Sequence, residues 1–165
     1  MVKAGLVHLV WAYLGEILLA GVLYLVLVLW LGCGVVAEFV HVTAASWANL
    51  TGVLFAASLT VWIVFVNMAA TEFGDYLRLQ NDYRAYYVAF VFPMFVLFGA
   101  TCLLIISVAQ VPVAVSNVAM GLLIYAVINV VTLVKNATGI VDLQATFKDC
   151  VRKAVDARPD TSKLE

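Results

Sequence analysis

A chain of 165 residues that is 65% hydrophobic and only 12% charged, with a mean hydropathy of +1.08, lies far from soluble domains, which run at about 45–50% apolar and 25% charged. This excludes a water-soluble globular fold, whose core needs a polar shell, and predicts an all-α polytopic membrane protein. A formal net charge of −1 argues against nucleic acid and leaves the lipid bilayer as the first partner.

The first apolar run extends from Leu6 to Leu31 and is interrupted only by Glu16. About 20 helical residues cross the hydrocarbon core, so this run can span with tilt. Leu31-Gly32-Cys33 resembles a lipoprotein cleavage site. The run nevertheless exceeds the roughly 7–15 residues of a signal-peptide apolar region, so it is read as a retained span. Residues 32–47 are less hydrophobic and carry Glu38 and His41, which predicts a connection to a second span over 49–70. From Thr71 to Arg84 the chain is polar, and Asp75, Arg78 and Asp82 can pair along one helical face. A third span covers 86–109 and contains Pro93, which membrane helices tolerate when neighbours satisfy the freed carbonyl. Only Gln110, Val111 and Pro112 precede the fourth span, 113–134, which makes the last two helices an antiparallel hairpin.

Residues 1–137 thus form a four-helix transmembrane domain, and 138–165 a cytoplasmic amphipathic helix with a disordered end. In that tail Ile140, Leu143, Phe147 and Val151 recur at three- and four-residue spacing among charges, giving an apolar stripe that should stop before Pro159. The stripe can lie on its own bundle, on lipid headgroups, or on a sister subunit or partner helix. Lys3, Arg78, Arg84 and the bases from Lys135 onward all fall in intervals that four spans place on one side. The positive-inside rule therefore puts both termini in the cytoplasm, in a bacterial inner or plasma membrane. Trp30 and Trp47 mark the outer boundary, and Tyr83, Tyr86 and Tyr87 the inner one.

Depth identifies the residues that can carry chemistry. Glu16 falls near the membrane centre, at the level of Ser58, Thr60, Thr101, Cys102 and Tyr125, with no Lys, Arg or His there. A carboxyl in that setting is either neutral or faces a bound cation or a proton-donating water, which makes this layer a candidate ion or proton site. The alternative is a protonated carboxyl that bonds Tyr125, Thr60 or Thr101 and locks helices together. Gly5, Leu9, Ala12, Tyr13, Ala20, Leu23 and Leu27 share the Glu16 face, and its small residues allow close helix approach. A second polar layer, His8, Asn67, Asn129 and Thr132, sits toward the cytoplasmic side and fits interhelical bonding. Glu38 and His41 have the ExxH spacing of a weak metal candidate with no second copy to complete it.

Cys33, Cys102 and Cys150 are too scattered for a zinc site or a disulfide framework. His8 and His41 lie at opposite faces, which disfavours haem, and no phosphate loop or nucleophile motif occurs; no cofactor and no enzymatic activity are expected. Ser46-Trp47 before the second span resembles the small membrane subunit of tripartite substrate transporters, although Ala48 and Asn49 replace the acidic pair expected there. The mid-membrane acid is similar to that of proteolipid rotor subunits, which carry it in a later helix and are richer in glycine. Neither resemblance transfers a residue role. The expectation is an oligomeric channel or transport component with Glu16 in a proton or cation path; the alternative is a non-conducting accessory subunit of a larger complex.

Overall fold

The computed structural model describes residues 3–80, 82–109 and 111–156. They form five helices: α1 Lys3–Leu31, α2 Cys33–Ala69, α3 Glu72–Leu79, α4 Tyr83–Ser107 and α5 Val113–Asp156. Four of them are long and apolar enough to cross a membrane. The expected disordered end beyond Asp156, with its Pro159 stop, and the side chain of His8 lie outside the described residues.

Two expected boundaries are replaced by continuous helix. Residues 33–47 belong to α2, a single helix of 37 residues. Gly32 alone separates it from α1, at φ 83, a left-handed conformation in which glycine avoids the clash of a Cβ. The Gly32 N–H donates to Val28 O at 2.8 Å and its carbonyl accepts from Val36 N at 3.2 Å, so one residue closes one helix and opens the next. Val36, Val40 and Ala44 repeat at helical spacing and are buried, which gives the less hydrophobic stretch a reason to stay helical. The tail is likewise not a separate amphipathic helix: α5 runs unbroken for 44 residues, about 66 Å. No proline interrupts it, and Gly139 is the only strong helix-weakener between Val134 and Ile140.

α2, α4 and α5 pack on one another, and α1 lies mainly along α5. Near the α4–α5 turn, Val40, Ala48, Leu104, Ala119 and Leu123 form one apolar cluster. Val96, Leu97, Ala100 and Ala126 form a second. At the end carrying α3, Phe65, Phe73, Leu77, Phe90, Leu133 and Ile140 form a third. Alanines buried in each of the first two let backbones approach closely, as membrane packing requires. Pro93 is buried within α4, and the helix continues through it.

α3 is amphipathic, with Glu72 and Asp75 in its first turn and Arg78 in its last, charges that suit its dipole. Of the three charges expected to pair, Asp75 and Arg78 do so at 2.7 Å. Arg78 also donates to Ala69 O at 3.3 Å, satisfying a carbonyl at the end of α2, and lies 5.3 Å from the Tyr83 ring centre.

Candidate functional site

The seam between α1 and α5 holds the acid. Thr132 Oγ1 donates to Glu16 Oε1 at 2.6 Å, a short hydroxyl hydrogen bond that joins α5 to α1. Tyr13, three residues before Glu16, packs its ring 4.4 Å from Phe92 of α4. Phe92 in turn meets Tyr125 edge-on at 6.3 Å. Tyr13 and Tyr125 thus both pack on Phe92. On α5, Tyr125, Asn129 and Thr132 share one face at i, i+4 and i+7. Asn129 is fully buried, and its Nδ2 donates to Tyr125 O at 3.0 Å.

Four oxygens of this seam are buried and have no hydrogen-bond partner among the described residues: Tyr13 Oη, Glu16 Oε2, Tyr125 Oη and Asn129 Oδ1. Leaving one such buried group unsatisfied costs about 1–3 kcal/mol. Glu16 forms no ion pair with any described Lys, Arg or His. The seam thus holds one carboxyl, two phenol hydroxyls and one amide oxygen with hydrogen-bonding capacity left over.

Of the layer expected around Glu16, Tyr125 is there, Cys102 is a free, partly buried thiol on α4, and the other three residues are engaged elsewhere. Ser58 Oγ donates to Phe55 O at 2.7 Å and Thr60 Oγ1 to Ala56 O at 3.2 Å, each within α2, and Thr60 is exposed. Thr101 donates to Leu97 O at 2.8 Å and meets Thr51 Oγ1 at 2.9 Å, joining α4 to α2. The second polar layer also divides: Asn67 is exposed, whereas Asn129 and Thr132 join the Glu16 seam. Depth counted along the sequence places Thr132 one layer below Glu16, whereas the two side chains meet across the α1–α5 seam. Tyr13 was legible on the Glu16 face, but the contribution of Phe92 from α4 had no sequence signal.

Other expected sites have structural duties. His41 Nδ1–H donates to Ser107 O at 2.9 Å, capping a carbonyl at the end of α4, while Glu38 is exposed. No group of three His, Cys, Asp or Glu able to hold a metal occurs among the described residues. Asn117 Nδ2 donates to Cys33 O at 3.2 Å, tying the start of α2 to α5. Ile140 is buried and Leu143 and Phe147 pack beside it, with Phe147 5.7 Å from Phe73 and 5.2 Å from Tyr76. Three of the four residues of the amphipathic stripe thus lie on the chain's own α2–α3 end; Val151 is exposed and borders a cleft of about 440 Å³. Comparison with protein-family models, curated proteins and solved structures finds no match for this chain.

Proposed function

We propose that the chain is an oligomeric transport component of a bacterial inner or plasma membrane, in which the Glu16 carboxyl holds a proton or cation in transit. One observation carries this reading: the acid and three other side chains of the seam, Tyr13, Tyr125 and Asn129, each leave a buried oxygen unpartnered, and no described base pairs with the acid, inside helices apolar enough to lie in a membrane. Ionisable groups in such surroundings are costly, and their usual use is an ion or proton path. The position of α1 supports it. Ala20 is its only buried hydrophobic residue among those described, and Gly32 alone joins it to α2, so α1 can shift along α5 and change access to the seam.

Arg78, Arg84, Lys148, Arg152 and Lys153 belong to the end of the bundle that carries α3, which the positive-inside rule assigns to the cytoplasm together with both termini. Self-association is supported by an exposed stripe on α5, Val127, Val131, Val134 and Val141, spaced as in helix–helix seams. It borders an apolar groove of about 470 Å³ against Leu54 and Val61 of α2.

The test is flux in proteoliposomes under imposed proton and alkali-cation gradients, comparing wild type with Glu16→Gln. Flux that the substitution abolishes supports the reading. A silent wild type that brings other membrane chains through native purification would instead identify an accessory subunit.

A further inference from the structure

We propose that the α1–α5 seam binds one small, dehydrated monovalent cation of the alkali class, ligated by Glu16 Oε2, Tyr13 Oη, Tyr125 Oη and Asn129 Oδ1. This names the ligand of the transport site and rests on that reading.

The donor set selects the ligand class. All four unpartnered atoms are oxygens, hard donors that suit hard cations, and the described seam offers neither the imidazole nor the thiolate that transition metals favour. Charge sets the valence. Glu16 is the only acid between the chain start and Glu38, and no described base pairs with it, so the seam neutralises one positive charge. A divalent ion would leave an uncompensated charge in a low-dielectric interior, which is far more costly.

Two further contacts orient the ligands. Thr132 occupies Glu16 Oε1 and leaves Oε2 as the free acceptor. The Asn129 Nδ2 bond to Tyr125 O fixes the amide, so that Oδ1 is the atom presented on the other branch, and at 0% exposure this side chain cannot turn to water. Each of the four oxygens has no hydrogen-bond partner among the described residues and so keeps its lone pairs for a ligand. All four are closed to solvent, and that favours a bare ion over a hydrated one. An organic cation fits poorly: the groove of about 320 Å³ between α1 and α5 reaches Tyr125 at Ile17, Ala20 and Gly121, but the carboxyl is not among its walls.

The experiment is isothermal titration of the purified protein in lipid nanodiscs with NaCl, KCl and LiCl, using choline chloride to hold ionic strength. Saturable binding of about one alkali ion per chain is expected, abolished in Glu16→Gln and weakened about tenfold in Tyr13→Phe. The latter keeps the ring on Phe92 and removes one ligand oxygen, and circular dichroism of each variant establishes that the helices persist. Absence of saturable alkali binding with Glu16-dependent proton flux intact overturns this inference and leaves the transport reading standing. Absence of both binding and flux overturns the two together. Binding that is equal in wild type and both variants also refutes the assignment.

Discussion

Thr132→Val is the sharpest perturbation of the seam, because it keeps the shape of the side chain and deletes the donor that holds Glu16 Oε1 at 2.6 Å. A hydrogen bond to a charged group contributes about 1.5–3 kcal/mol, whereas interhelical bonds in membranes average about 0.6 and reach about 1.7 kcal/mol. A coupling of about 1.5 kcal/mol is expected between residues 16 and 132, near the upper membrane value, since the acceptor is a carboxyl whose second oxygen is already unpartnered. The loss should fall on α1, which has Ala20 as its only described buried hydrophobic residue and little other packing to absorb it. A double-mutant cycle of Thr132→Val and Glu16→Leu, followed by reversible unfolding in mixed detergent, measures the coupling directly. Glutamine is unsuitable in this cycle because it retains the acceptor. A coupling below about 0.3 kcal/mol, within the usual additivity error, would refute the placement of α1 on α5 through this bond.

Three further substitutions test the frame around the site. Gly74→Ala would drive a Cβ into the Ala69 carbonyl oxygen, a backbone atom that cannot swing aside; a cost of about 3 kcal/mol is expected, read as a lowered melting temperature and loss of amide protection across α3. His41→Phe keeps a ring but removes the donor to Ser107 O, and should lower unfolding free energy by about 1 kcal/mol in the same detergent titration. Phe147→Ala removes the ring that meets Phe73 and Tyr76, costing about 2 kcal/mol for a half-buried side chain, and trypsin should then cleave faster after Lys148 and Arg152.

The number and approximate places of the membrane helices were legible in the apolar runs, because in lipid a helix satisfies its own backbone and length alone nearly specifies it. Boundaries were less so. Glu38 and His41 made residues 33–47 look like a connection, yet a helix tolerates them: His41 finds Ser107 O, and Glu38 points outward. Lys135 similarly marks no break in the helix, since α5 carries it on an exposed face and continues. The acid itself was readable, as was the face it shares with Tyr13. Its partners were not, since estimating depth by counting residues assumes upright helices of equal reach. α2 and α5 are much longer than the bilayer is thick, which moves Ser58, Thr60 and Thr101 out of register and brings Thr132 into it.

The proposed transport role requires the Glu16 carboxyl to take up and give up a positive charge within the α1–α5 seam. Infrared difference spectroscopy of the reconstituted protein with carbon-13-labelled glutamate tests it most directly, switching between alkali-cation and choline buffers and between two pH values. A carboxyl band that shifts on one of these switches in wild type and vanishes in Glu16→Gln is the predicted result. Difference spectra that are the same in wild type and Glu16→Gln under every switch would contradict it.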